Sequence, residues 1–305
     1  MGLRRRSLQL QLLAFCCVLT SCSDGGDNAD VDATTSRDGA GGTCPTSLGG
    51  SADPIFGQTS SRFQVSAAPA WVIFDGAVYD GQRIKFHVES QRQGQCRLLT
   101  YTSSLCTPAC GAGHACVDSE CVPFPTVQSV GTVVLAGVGS DAMVDANGTG
   151  QYYWFTDGTG VDELTTVSVS APGDVGPAFE LSACATASPL PTTNWDQLLA
   201  DRADGQDVTL QWSNPIDTAR VYLRMTTGIG THGGISPFEI ECEGRDTGSL
   251  TLPGSYLDAL YSTGWSCGEC GNNDLFRYHA TETTIGDYTV QLRSQSSVSF
   301  WHIPR

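Results

Sequence analysis

The sequence predicts an all-β fold: an antiparallel β-sandwich, or more than one, with a small disulfide-rich insert and little helix. Three observations lead there. Short runs rich in β-branched and aromatic residues recur along the chain, separated by Gly, Asp and Asn, which is the patterning of strands and turns. Helical periodicity is confined to two short segments. An even set of cysteines follows an export signal, with four of them crowded into residues 106–121.

The first residues combine a basic start (Arg4, Arg5, Arg6) with an apolar run from Leu8 to Leu19 broken only by Gln9 and Gln11. That is a secretory signal, shorter than the roughly 20 residues that span a bilayer. Its end, Leu19-Thr20-Ser21-Cys22, resembles the bacterial lipobox. The resemblance implies cleavage after residue 21, acylation of Cys22, and stable attachment, since each buried methylene contributes about 0.8 kcal/mol. By resemblance to sorted lipoproteins of Gram-negative bacteria, Ser23 after that cysteine implies the outer membrane, on its periplasmic or its surface side. Residues 22–61 are mainly Gly, Asp, Ser, Thr and Ala and read as a flexible acidic linker. Asp24, Asp27, Asp30 and Asp32 lack the Gly turn and terminal Glu of a calcium loop and read as a solvated charge run.

The chain carries 16 basic and 32 acidic residues, net −16, and loss of Arg4, Arg5 and Arg6 with the signal takes it to −19. Such a charge repels nucleic acid, which is excluded as a partner. Lys85 is the only lysine, and no phosphate-binding Gly-x-x-x-x-Gly-Lys loop exists. Ten cysteines remain besides Cys16, Cys17 and Cys22: Cys44, Cys96, Cys106, Cys110, Cys116, Cys121, Cys184, Cys242, Cys267 and Cys270. In an exported chain they predict up to five disulfides, with the pairing open.

Residues 62–124 are expected to form a small β region, with strands at Trp71–Phe74, Ile84–Glu89 and Cys96–Tyr101, closed by the cysteine cluster. The cluster Cys106, Cys110, Cys116, Cys121 has gaps of three, five and four residues. Structural zinc sites use close pairs separated by a longer spacer, so two disulfides are favoured over zinc, with His114 as an extra donor in the zinc reading. The cluster is expected to brace the first β region against a sandwich domain at 125–305.

That domain has strands expected at 130–135, 151–155, 164–169, 178–182, 208–212, 219–225, 238–242, 249–252, 288–293 and 298–302. The two helices are expected at 194–200 and 255–260, lying across a sheet edge. Tyr152, Tyr153 and Trp154 are adjacent, so one ring must point away from the core; Tyr152 and Trp154 are candidate ligand-binding residues. His232, in a Gly-rich turn near Glu239 and Glu241, is a third. Asp157 to Glu163 and Asp141 to Asp145 are candidate calcium loops. Cys267 and Cys270 have redox spacing, but the Gly and Asn that follow favour a structural disulfide in a loop. No catalytic residue, resident metal or other cofactor is expected, since neither His-Glu-x-x-His nor Gly-x-Ser-x-Gly occurs.

Cys96-Arg97-Leu98-Leu99, the Cys106–Cys121 cluster, Val130-Gly131-Thr132-Val133, Ser170-Ala171-Pro172-Gly173, Leu210-Gln211-Trp212, and Ile240-Glu241-Cys242 running into Asp246-Thr247-Gly248-Ser249 carry a resemblance to a group of exported myxobacterial proteins. It implies a lipid-anchored β-sandwich and assigns no activity. The expected function is therefore a non-enzymatic structural, adhesive or recognition role at the cell envelope. The membrane is reached through the N-terminal lipid, and the partner is an envelope polymer or protein. A carbohydrate- or peptide-binding module, with or without calcium, is the second reading. A hydrolase or thiol-disulfide protein centred on His232 or on Cys267 and Cys270 is the third.

Overall fold

Alternation of apolar and polar residues builds eighteen strands and two short helices in the computed structural model, which describes residues 44, 56, 61–68, 70–102, 105–158, 160–188, 190–191, 194–227, 235–262 and 273–300. All belong to one of the two units into which the chain divides, residues 41–305. The early strands are β1 (Ser61–Ala68), β2 (Trp71–Tyr79), β3 (His87–Gln93), β4 (Cys96–Tyr101), β5 (His114–Val117), β6 (Glu120–Pro123), β7 (Val127–Gln128), β8 (Val133–Ala136) and β9 (Ala142–Val144). Then come β10 (Tyr152–Asp157), β11 (Thr166–Ala171), β12 (Phe179–Cys184), α1 (Trp195–Asp201), β13 (Val208–Gln211), β14 (Arg220–Thr226) and β15 (Phe238–Arg245). β16 (Ser249–Leu252), α2 (Gly254–Ser262), β17 (Asn273–Ile285) and β18 (Tyr288–Phe300) follow. With about 53% strand and 7% helix, the protein is all-β.

One large sheet runs β10-β2-β1-β18-β17-β14-β15-β4-β3, with β7 added beside β2. Its pairings are antiparallel with one exception. β1 lies parallel to β18, from Ser61 opposite Val290 to Ser66 opposite Gln295. Strands so far apart in sequence are free of the hairpin constraint that forces antiparallel pairing.

Side chains alternate across each strand, and the ladder registers carry that alternation over the whole sheet. On β1, Phe63, Val65 and Ala67 are buried, while Arg62, Gln64 and Ser66 point to the other face. The apolar face holds two clusters. In the first, Phe63, Phe74, Val290 and Leu292 pack against Leu135, Val167, Val169 and Leu181 of a second sheet, β12-β11-β8-β9. The Phe63 ring lies 5.3 Å from Phe179 and 5.8 Å from Phe74. It sits over Gly76, where any Cβ would approach it to 2.4 Å, so only glycine fits opposite this phenylalanine.

The second cluster packs Leu98, Leu223, Met225 and Ile240 under the β13–β16 pair and both helices, which supply Trp195, Leu199, Tyr256, Leu257 and Leu260. The helices therefore cover a sheet face, rather than lying across an edge as expected from their shortness. α2 begins where Gly254 N donates to Asp207 Oδ1 at 2.7 Å, and Arg202 ties it to the end of α1 through Asp258 at 2.6 Å. Between the clusters runs a buried polar seam. Arg277 Nε donates to Asp246 Oδ2 at 2.6 Å, and His279 lies between the hydroxyls of Thr186 and Thr218 at 2.9 and 3.1 Å.

The expected division near residue 124 is not where this fold divides. β1 to β4 share one sheet with β14, β15, β17 and β18, so the segments on either side of 124 build the same layer. Of the up to five expected disulfides, four are present among the described residues. Cys96–Cys242 joins directly opposed residues of β4 and β15, and Cys44–Cys184 ties Cys44 to the end of β12. Cys106–Cys116 and Cys110–Cys121 tie the segment before β5 to the β5–β6 hairpin, whose turn has Asp118 and Ser119 at φ 50° and 69°, as a two-residue type I′ turn requires. The sulfurs of Cys106, Cys110 and Cys121 crowd within 4.8 Å, but each is already bonded in one of these two disulfides. Sheet pairing and Cys96–Cys242, rather than the hairpin, hold the early strands to the rest. Cys22, Cys267 and Cys270 lie outside the described residues, and among the described residues no helix is long and apolar enough to cross a membrane.

Candidate functional site: a cationic pocket on the polar sheet face

The second face of the large sheet is built from the residues that alternation turns away from the core. On β15, Ile240 and Cys242 are core residues, so Glu239, Glu241 and Glu243 face the other way. Their cross-strand neighbours on that face are Arg97, Arg220, Tyr222 and Arg224. Arg97 Nε donates to Glu241 Oε2 at 2.7 Å and the Tyr222 hydroxyl donates to Glu241 Oε1 at 2.6 Å. Burial pushes the Glu241 carboxyl up, but these two donors and Lys85 outweigh it and hold the carboxyl below the usual range. Glu243 accepts from Arg220, from the Tyr278 hydroxyl and from the Phe56 backbone N–H. The Phe56 ring lies under Arg97, whose guanidinium carbon is 4.3 Å from the ring centroid.

Beside this network is a cavity of about 580 Å³, a size typical of small-ligand sites. Five of the chain's 16 basic residues line it: Arg62, Arg83, Lys85, Arg97 and Arg293. Among the described residues, Asp75 and Glu241 are the acidic side chains that line it with them. Tyr79, Tyr153 and Tyr222 supply aromatic walls, and Arg83 lies over the Tyr79 ring at 5.4 Å. In register, one row crosses four strands: Tyr153 on β10, Asp75 on β2, Gln64 on β1 and Arg293 on β18.

Arg293 is 7% exposed. Its guanidinium stacks on Tyr278 at 3.8 Å, with Tyr222 and Phe276 at 5.3 and 5.5 Å. Burial, with the nearby Arg62 charge adding to it, pushes its pKa down to about 10, so it stays charged at neutral pH. Among the described residues its Nε and Nη2 have no hydrogen-bond partner, and neither does the buried Nε of Arg62. Desolvation by the pocket walls also lowers Lys85, against the pull of Glu241, and raises Asp75, against the pull of Arg62.

Of the three residues expected to bind ligand, Tyr152 is among those that line the cavity, although its ring is turned to the apolar cluster. Tyr152 and Trp154 face the apolar cluster. The Tyr152 hydroxyl is fixed inside, donating to Gly131 O at 2.9 Å and accepting from Val130 N at 3.0 Å. Because β10 has that parity, the outward ring is Tyr153, 61% exposed, with Phe155 beside it. His232 lies outside the described residues. In the acidic loops considered for calcium, two carboxylates accept local hydrogen bonds. Asp145 accepts from Thr132 Oγ1 at 2.6 Å, and Glu163 accepts from the backbone of Ala187 and Ser188 at 3.1 and 2.7 Å. Sequence reasoning missed Arg62, Asp75, Arg293 and their neighbours as a group. Their signal is a charged residue at alternate positions of strands otherwise apolar, as in Glu239-Ile240-Glu241-Cys242-Glu243. No family model matches the chain, and comparison with curated proteins likewise returns no match.

Proposed function

We propose that this is a lipid-anchored cell-envelope protein with a non-enzymatic recognition role, and that its ligand is an anionic envelope or extracellular molecule held in the cationic pocket. One observation carries the reading: in a chain of net charge −16, five basic side chains converge on one cavity that has aromatic walls. The surrounding negative field disfavours anions elsewhere on the surface, so a local cationic concavity selects where an anion docks. The export signal and the Leu19-Thr20-Ser21-Cys22 motif support attachment at the membrane, and the disulfides support an oxidising compartment.

Two measurements test this. The full chain is applied to an array of neutral and acidic glycans and anionic peptides, beside a chain carrying Arg83→Gln and Lys85→Gln. Binding of acidic members that the double variant loses is expected; a silent array, or equal binding by both proteins, refutes the pocket. For the anchor, Cys22→Ser is expected to move the protein from the membrane fraction to the soluble one. A wild-type chain that is already soluble and unacylated refutes that half.

A further inference from the structure

Arg293 is the outlier of the pocket. A guanidinium inside a protein is normally matched to carboxylates or carbonyls, because a buried charge without a partner costs stability. Here Arg97, Arg220 and Arg277 obey that rule, each bonded to a carboxylate. Arg293, equally buried and lining the cavity, keeps Nε and Nη2 unbonded. Those two donors form one edge of the planar fork, the edge that takes the two oxygens of a carboxylate side-on. Glu243, a carboxylate whose charge acts on Arg293, is already engaged by Arg220, Tyr278 and Phe56.

Around that edge the pocket repeats the same preference. Arg62 Nε is also buried and unbonded. At the far end of the register row, Tyr153 presents an exposed ring, three strand spacings or about 14 Å from Arg293 along the sheet. That span is wider than one sugar ring, and an aromatic face at its end suits a pyranose face.

We propose that the pocket binds an acidic oligosaccharide, with the carboxylate of a uronate residue drawn to the unmatched guanidinium charges of Arg293 and Arg62 and a sugar ring farther along the oligomer against Tyr153. Guanidinium groups without a carboxylate partner match an anionic ligand, and the aromatic wall matches a sugar rather than a small inorganic ion. This rests on the recognition role proposed for the same pocket.

The test is calorimetric titration of the full chain with an oligogalacturonate, with the same oligomer after reduction of its carboxyl groups, and with inorganic phosphate. The oligogalacturonate is expected to bind. The reduced oligomer is expected to bind about thirtyfold more weakly or less, as is the oligogalacturonate to Arg293→Gln, the scale for leaving a buried charge unpaired. Arg293→Lys, which keeps the charge and loses the fork, is expected to bind weakly too. Where Arg293→Gln fails to fold, as judged by its melting profile, Arg62→Gln and Lys85→Gln decide: weakening in both supports the proposal, and no change in either overturns it. A folded Arg293→Gln that binds as tightly as wild type removes Arg293 from the site. Phosphate binding as tight as oligogalacturonate overturns the sugar assignment. So does silence toward oligogalacturonate in a chain that still binds other acidic members of the array, and in that case the recognition role itself survives.

Discussion

Arg277 and Asp246 form an ion pair at 2.6 Å between side chains that are 2% and 0% exposed, in the seam where the two apolar clusters meet. Asp246 also accepts from Trp212 Nε1 at 2.7 Å and from Ile216 N at 2.8 Å, and Arg277 Nη2 donates to Asn214 O at 2.9 Å. Removing one partner leaves the other charged and buried. Asp246→Ala is expected to lower stability by about 3–5 kcal/mol. Urea unfolding of the two proteins checks it; a loss under about 1 kcal/mol would show that the seam admits water.

The disulfides differ in the length of chain they close. Cys96–Cys242 spans 146 residues, whereas Cys106–Cys116 spans 10. In the chain-entropy account these contribute about 5 and about 3 kcal/mol respectively. Replacing Cys96 and Cys242 together by Ala is expected to depress the melting temperature more than replacing Cys106 and Cys116. The reverse order would place the stabilising role in the hairpin.

Acid should tighten the pocket's hold on an anion. Asp75 faces Arg62 and Gln64 of β1 and Tyr153 of β10, with Arg83 and Lys85 on the loop above. Desolvation raises its carboxyl above the usual range despite Arg62. As pH falls through that raised value, one negative charge leaves the pocket, so affinity for an anion rises until the ligand itself protonates. Asp75 is solvent-accessible, so the gain is about threefold, the scale of an exposed charge pair. Asp75→Asn is expected to bind at that higher level at neutral pH and to lose the pH dependence, which titrations at pH 7.5 and 5 would reveal.

His279 makes the seam sensitive to acid in the opposite sense. Burial lowers its pKa, so the folded protein holds it neutral while the unfolded chain protonates near the usual value of about 6.5. The unfolded state then binds more protons below that value, and stability is lost as pH falls from about 6.5 toward the depressed folded value, by up to about 1.4 kcal/mol per pH unit. Denaturant curves between pH 7 and pH 5 should be shallower in pH for His279→Gln than for wild type. Equal slopes would assign the acid sensitivity to carboxylates instead.

The strands that were legible in the sequence are those with one apolar and one polar face, such as Val208–Gln211 and Ser249–Leu252. β17 was not, although it lies near the middle of the sheet. It carries Arg277 and His279 into the seam and Phe276 and Tyr278 to the polar face, so neither side shows the apolar alternation that marks a strand. β1 was masked in another way. Its Ser61, Gln64 and Ser66 continue the composition of the linker before it. Nor could three adjacent aromatics at 152–154 reveal which of them face inward. That depends on pairing with Gly76 and Phe74 of β2, far away in sequence. The pocket was hidden for the same reason. Arg62, Asp75 and Arg293 become neighbours only through registers among β1, β2 and β18.

The parallel pairing of β1 with β18 sets an order of events for assembly. β1 gains its second neighbour only when residues 288–300 have arrived, more than two hundred residues after β1 itself. The centre of the sheet therefore cannot close until the C-terminal strands have been made, and contacts of such long range form slowly. A chain cut short before residue 288 would leave the hydrogen-bonding edge of β1 open to other molecules.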